Sequence, residues 1–423
     1  MIEKARGQIS IQQIKDYFPQ YTASDDLCYL DSAATTLKPL PMIEAVSDFY
    51  TYGNATVHRS IYPIAQSATE RFENVRCQMA KLFCCSRDQI IFTKGTTDAM
   101  NLLAHTLGQS VAQANQARPG DNEKRSVFLE RSAHHANFVP WQLVAKNFPL
   151  EINFCKREDF EISSLPLNDQ TLAISFSHVS NVTGLGSDQD WSPLTSMAKK
   201  YGVYTLVDGA QGITSLMALG ESERKAFLCD IDAYAFSTHK IYGPTGLGVL
   251  YLSRELLERL GPYQGGGEMI ERVDIGETTF SPAPLLFEAG TPPIASVIGF
   301  GATLDFLSRI DLASVQKSLY ALRDRFVDKL LKIPGAKIVG NAQHGRGSTI
   351  ANFIIEGAHP LDVATLLGYE GIAIRSGHHC AQVAMRDFGV EHSLRLSLGI
   401  YNRASDIDKA IAALHKVLKI LRG

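Results

Sequence analysis

The run Asp232-Ala233-Tyr234-Ala235-Phe236 reads as a short buried strand, and Leu247 to Leu252 reads as another. Between them lie Ser237-Thr238-His239-Lys240 and a loop that carries Gly243-Pro244. This stretch constrains the chain most, because a cation lodged between two buried strands is costly to desolvate. Burial also lowers a lysine's pKa, which makes the amine nucleophilic enough for Schiff-base chemistry. A plain surface lysine on a connecting loop is the competing reading of Lys240.

Strands like these recur. Gln89 to Thr93, Val127 to Leu129, Leu172 to Phe176 and Val203 to Val207 are short and apolar, with helical segments near 137–147 and 192–201 between them. Residues 8–18 suggest a short helix, and Pro39 and Pro41 punctuate the start of another. Residues 62–83 read as a long helix, with Phe72, Val75, Met79 and Leu82 at helical spacing. After Lys94 to Asp98 a further helix is expected through Leu107, and the polar stretch from Gln109 to Arg125, with Pro119-Gly120, reads as a loop. Strands alternating with helices predict an α/β fold, a mostly parallel sheet flanked by helices, with ligands at the carboxyl ends of the strands.

Tyr263 to Pro284 is rich in Gly, Pro and polar residues and reads as a long functional loop. A smaller α+β domain is expected to follow. Its helix near 312–332 carries Val315, Leu319, Leu322, Phe326 and Leu330 on one face, and its last helix opens with Ser405-Asp406-Ile407-Asp408, close to a capping box. The boundaries expected are 1–25 for a segment packing on the small domain, 26–295 for the large domain and 296–423 for the small one. A net charge of -3 leaves no electrostatic footprint for nucleic acid or an anionic membrane. Seven dispersed cysteines suggest free thiols in a reducing compartment. Met1 to Phe18 has no uninterrupted apolar core and no run reaches a membrane span, so a cytoplasmic location is expected, without a signal peptide.

Polar oddities cluster just after the expected strands. Gly95-Thr96-Thr97 would present N–H groups and hydroxyls to an anion, or simply cap a helix. Asp208 ends an apolar strand, where it would cap the next helix or hold a protonated pyridine nitrogen. His134, in a His-His pair, would stack on a flat cofactor or serve structurally. Cys380, in Gly377-His378-His379-Cys380, is a reactive thiol near Arg375 on a Gly-hinged loop, or an inert buried one. No second Cys/His pair stands at ligand spacing, so no metal is expected. Arg395 would clamp a carboxylate or join a structural ion pair. Together the functional readings describe pyridoxal phosphate held for chemistry on an amino acid.

On these residues the chain resembles the cysteine desulfurases of the SufS/CsdA type, within the class V aminotransferases of fold-type I. Tyr29-Leu30-Asp31-Ser32-Ala33-Ala34-Thr35, Phe92-Thr93-Lys94-Gly95-Thr96-Thr97, His134-His135-Ala136-Asn137, Ser180-Asn181-Val182-Thr183-Gly184, Val207-Asp208-Gly209-Ala210-Gln211, His239-Lys240-Ile241-Tyr242-Gly243-Pro244, Phe287-Glu288-Ala289-Gly290-Thr291-Pro292 and Gly377-His378-His379-Cys380-Ala381-Gln382 follow that pattern in order. The resemblance implies a pyridoxal 5'-phosphate enzyme with Lys240 as the Schiff-base lysine, Asp208 on the pyridinium and Gln211 on the ring hydroxyl. It implies His134 stacked on the ring, and Thr97, Ser237 and His239 on the phosphate with Thr291 from the second subunit of a homodimer. Asn181 and Arg395 would hold the substrate carboxylate, His58 and Arg375 would line the pocket, and Cys380 would accept sulfur from L-cysteine.

The implied products are L-alanine and a persulfide, handed to a SufE-like or SufU-like acceptor for iron–sulfur or other sulfur cofactors. L-selenocysteine is the alternative substrate, and a scaffold without turnover the alternative outside enzymes. Four positions depart from the pattern: Ala133 for glutamate, Thr238 for glycine, Pro293 for asparagine and Val383 for proline.

Overall fold

The computed structural model describes residues 7–24, 26–117, 123–340 and 347–423. Seven strands form the central sheet: β1 (Ile90–Thr93), β2 (Arg125–Glu130), β3 (Leu150–Cys155), β4 (Thr171–Ser177), β5 (Tyr204–Asp208), β6 (Ala233–Ser237) and β7 (Gly248–Leu252). Their order across the sheet is β1-β7-β6-β5-β4-β2-β3. Every pairing is parallel except those of β7, which runs against both neighbours. Every residue of β1, β4, β5, β6 and β7 is buried, so their sequences are unbroken apolar runs rather than alternating ones. This is the mostly parallel, helix-flanked sheet that the sequence predicts.

Six helices frame the fold: α1 (Leu40–Asp48), α2 (Pro63–Leu82), α3 (Thr96–Gln116), α4 (Ile294–Leu307), α5 (Leu312–Leu330) and α6 (Ala404–Arg422). Helix α3 runs nine residues beyond the expected end at Leu107, because Gly108 and Val111 stay buried while the Gln- and Ala-rich outer face suits a helix. The Pro119-Gly120 turn lies outside the described residues. The reading of 263–284 as loop needs a further correction. Ile270–Val273 and Thr278–Phe280 pair as an antiparallel hairpin, and its largely exposed side chains give no amphipathic signal. Helix α6 starts at Ala404, so Asp406 rather than Ser405 closes the cap, accepting from the Arg403 amide at 2.8 Å.

A second, antiparallel sheet is built from Ala336–Ile338, Ile350–Ile355, Ser393–Ser397 and Arg375–Gly377, in that spatial order. Its core also takes in Ile9, Ile14 and Phe18 from the N-terminal segment and Val327, Leu414 and Val417 from α5 and α6. The side chains of α4 from Ile294 to Leu304 pack in the core beside the central sheet, whereas Phe306 and Leu307 pack with the second sheet. A buried ion pair locks the chain ahead of α4: Arg76 donates to both oxygens of Glu288 at 2.7 and 2.9 Å, and Glu288 also accepts from the Phe92 amide at 2.6 Å. Among the described residues, no helix is long and apolar enough to cross a membrane.

Candidate active site

The carboxyl edge of the central sheet gathers functional groups from five of its seven strands. After β1 come Gly95 and Thr97, after β2 His134, after β4 Asn181, at the end of β5 Asp208, and after β6 His239 and Lys240. The second sheet faces this edge with Arg375, Cys380 and Arg395. All of these except Gly95 line one cavity of about 220 Å³, together with Gln211 and Ser237. His58 and Thr291 do not line it. His58 instead lies 3.0 Å from Glu73 and 3.8 Å from Glu268, and Thr291 is exposed.

Lys240 ends a 3₁₀ turn whose start is pinned by a buried threonine. Thr238 Oγ1 donates to the carbonyls of Pro244 at 2.7 Å and Leu247 at 3.1 Å, and its own carbonyl accepts from Ile241 and Gly243. Where glycine would leave this turn free, Thr238 staples it. Burial pushes the Lys240 amine down to about 8, with Asp208 opposing that shift and Arg395 adding to it. Asp208 accepts from the Ala210 amide at 3.0 Å. Burial raises its pKa, with the Ala210 hydrogen bond and Lys240 opposing, and among the described residues it forms no ion pair. A buried carboxylate in that condition calls for a cation.

His134 is neutral at any ordinary pH. Burial first, then the charge of Lys240, lowers it to about 3. Its Nδ1 accepts from the Ala136 amide at 3.0 Å, which leaves the proton on Nε2. His239 is likewise held down to about 4 by burial and Lys240. Arg375 and Arg395 stand directly opposite each other in the second sheet. Like charges in that register repel unless an anion lies between them. Asp31 meets Arg395 at 3.4 Å, yet Arg395 Nε stays buried without a hydrogen bond. That orphaned donor is where a ligand carboxylate would bind.

The thiol lies on a short, tethered turn. His379 and Cys380 both adopt left-handed backbone, φ 53° and 55°, at roughly 1–2 kcal/mol per residue. The turn is held where it meets its neighbours. His135 N–H donates to the Cys380 carbonyl at 2.8 Å, Asn181 Nδ2 to the His379 carbonyl at 2.7 Å, and the Gln382 amide to His135 Nε2 at 3.2 Å.

The aminotransferase class-V profile matches residues 28–410. The chain belongs to the class-V aminotransferase family. It is 35% identical over 422 residues to a probable cysteine desulfurase of Vibrio cholerae, covering 98% of this chain and 100% of that protein. It is 38% identical over 416 residues to a probable cysteine desulfurase of Pseudomonas aeruginosa, covering 96% and 98%. Among solved structures it is similar to the cysteine desulfurase CsdA of Escherichia coli, in its S-sulfonic acid form, with a TM-score of 0.84, 34% identity and coverage of 97% and 99%. It is also similar to the cysteine desulfurase of Thermococcus onnurineus, with a TM-score of 0.85, 28% identity and coverage of 98% and 99%.

This class-V chain is a pyridoxal-phosphate enzyme, and its cavity fits the cofactor. Among the described residues Asp208 forms no ion pair, Lys240 offers a desolvated amine, and the cavity reaches Ser237 beside Thr96 and Thr97 at the start of α3. Ser237 Oγ accepts from the Thr96 amide at 2.8 Å. Gly95, at φ 152°, passes so near β7 that a Cβ on Gly248 would lie 2.5 Å from Gly95 Cα. Gly248 is therefore required by close approach, a role the sequence does not signal beyond placing a glycine at the start of a strand. Gly248→Ala is expected to weaken pyridoxal phosphate binding at least about tenfold, by displacing the Gly95 turn from the start of α3. Equilibrium titration of the apoprotein checks this, and unchanged affinity would rule out the close-approach argument.

Proposed function

We propose that the chain takes sulfur from L-cysteine, releasing L-alanine and leaving a persulfide on Cys380. The observation that carries this reading is the convergence of Lys240, Asp208, Arg395 and Cys380 on one cavity. Thr97, Ser237 and His239 would hold the cofactor phosphate, His134 the ring face, Gln211 the ring hydroxyl and Asp208 the ring nitrogen. Bound pyridoxal phosphate supplies an electron sink conjugated to the substrate's Cα.

The chain's own residues do the rest. Arg395 and Arg375, with Asn181 beside them, bind and orient the substrate carboxylate. Lys240 Nζ, neutral in part near pH 7, takes the Cα proton and later returns one. Cys380 Sγ attacks the substrate sulfur: an S–S bond forms as the substrate C–S bond breaks, and carbon keeps the electron pair and is protonated to give alanine. Sulfur ends as the outer atom of the persulfide. Because the turn bearing Cys380 is short and tied down, an acceptor of the SufE-like or SufU-like kind would have to come to the thiol, rather than the Gly377 hinge swinging it outward.

The same reading includes a homodimer. His58 and Thr291 stand away from the cavity of their own chain, and Leu40, Ile43, Tyr50, Tyr52 and Ile61 expose a run of apolar side chains along and beyond α1. A second copy would cover that run and bring Thr291 to its neighbour's phosphate site. All seven cysteines are free, in keeping with the cytoplasm.

The test is to load the protein with pyridoxal phosphate, add L-cysteine and a reductant, and measure alanine and the visible band. Alanine release supports the reading. A loaded enzyme that yields alanine from L-selenocysteine but not L-cysteine makes it a selenocysteine lyase. Alanine from neither, with or without an acceptor, ends the desulfuration reading and leaves a cofactor-binding scaffold.

A further inference from the structure

Asp208 and Gln211 share one turn, and a polar pair lies beneath it. Tyr234 is 0% exposed and His178 is 3% exposed, and His178 Nδ1 stands 2.9 Å from Tyr234 Oη. Burial, then the charge of Arg157, lowers His178 to about 3. Burial, then the charge of Asp208, raises the phenol well above its ordinary value. Both groups are thus uncharged in the working range. The hydrogen bond therefore joins two neutral groups, with the imidazole tautomer setting which of them donates.

Two glycines show how closely the pair is fitted to the turn. A Cβ on Gly209 would lie 2.0 Å from the Tyr234 ring and 2.6 Å from its hydroxyl, and one on Gly212 would lie 2.3 Å from His178 Nδ1. Gly212 has φ −88°, so it is space, not backbone freedom, that demands glycine there. The backbone of the turn is joined to His178 and to the residue after Tyr234: His178 N–H donates to the Asp208 carbonyl at 2.9 Å, and Gly209 N–H to the Ala235 carbonyl at 2.8 Å. The Phe227 and Phe83 rings pack on the pair at 4.7 and 5.6 Å. The charged groups around it are Asp208, with Lys240 facing that carboxylate from the cavity, and Arg157, which pairs with Glu130 at 3.1 Å.

We propose that Tyr234 and His178 are positioning residues: the hydrogen-bonded pair fixes the Asp208 turn from below and brings no cation to compete for its carboxylate. The proposal rests on the cofactor reading of the cavity. A packing role alone would need no hydroxyl on residue 234. A buried hydrogen bond between two neutral groups, set under a carboxylate awaiting a cation, holds geometry without altering charge.

Tyr234→Phe keeps the ring that fills the space under Gly209 and removes only the hydroxyl. In the holoenzyme, the pH midpoint of the cofactor's visible band is expected to move up by about half a unit or more. A loosened carboxylate holds the ring-nitrogen proton less well, so the ring withdraws fewer electrons and the nitrogen linked to it becomes more basic. The kcat for alanine release should fall about tenfold with KM for L-cysteine within about twofold. His178→Asn, the second variant, should move both readouts in the same direction. A lowered thermal midpoint in both variants, with band titration and kcat unchanged, would make the pair structural and overturn the proposal. So would failure of both variants to fold with cofactor bound. If the wild type shows no visible band with pyridoxal phosphate, the cofactor reading itself fails, and the proposal falls with it.

Discussion

Lys240→Ala is expected to reduce alanine release from L-cysteine by about 10⁴-fold or more. The loss is large because in the proposed reaction one amine would have two tasks, linking to the cofactor and carrying the Cα proton, and no other lysine lines the cavity among the described residues. Burial prepares that amine. With its pKa lowered from 10.5 to about 8, the neutral fraction at pH 7 is about 300-fold larger than for an ordinary lysine. The sign is that of desolvation: burial disfavours the cation, so the proton leaves at lower pH. Two measurements check this. The visible band of added pyridoxal phosphate should lose its linked form in the variant. In the wild-type apoprotein, labelling of Lys240 by a small amine reagent should be half-maximal near pH 8. A midpoint near 10.5 would refute the desolvated amine even if activity were lost.

Cys380→Ala is expected to lower alanine release by about 10³-fold or more while the visible band stays as in the wild type. The separation of the two readouts is the point. The Cys380 side chain reaches the cavity, but the turn is held through backbone groups, namely the Cys380 and His379 carbonyls. Alanine pays the same left-handed backbone cost as cysteine at φ 55°, so the turn should keep its shape. Cys380→Ser, which retains a hydroxyl in place of the thiol, should be as inactive, since sulfur acceptance needs a thiolate. Alanine release within tenfold of the wild type would remove Cys380 from the reaction.

Much of the fold and the candidate site was legible as local pattern. Apolar runs placed β1, β4, β5, β6 and β7, because a strand buried on both faces needs no polar alternation, and the shorter run Val127 to Leu129 placed the buried part of β2. Lys240, Asp208, His134 and Gly95 could be proposed because each follows such a run, at the edge where a parallel sheet gathers its ligands. Where the local signal was mixed, the reading failed. Leu150–Cys155 is β3, an edge strand with one buried residue and the rest partly or fully exposed, and its sequence gives no apolar run. The end of α3 and the exposed hairpin at 270–280 went astray for similar reasons: a polar surface element resembles a loop.

The sequence by itself determined the strand–turn–helix grammar of the large sheet and the residue types at its carboxyl edge, because both are written in neighbours along the chain. Tertiary structure alone decided the rest. It set Arg375 opposite Arg395, laid Tyr234 and His178 beneath the Asp208 turn, brought Gly248 within a Cβ's reach of Gly95, and left His58 and Thr291 outside their own chain's cavity. Each of these depends on how segments distant in sequence are placed in space. Packing distance and desolvation fix such contacts, and no local pattern along the chain encodes them.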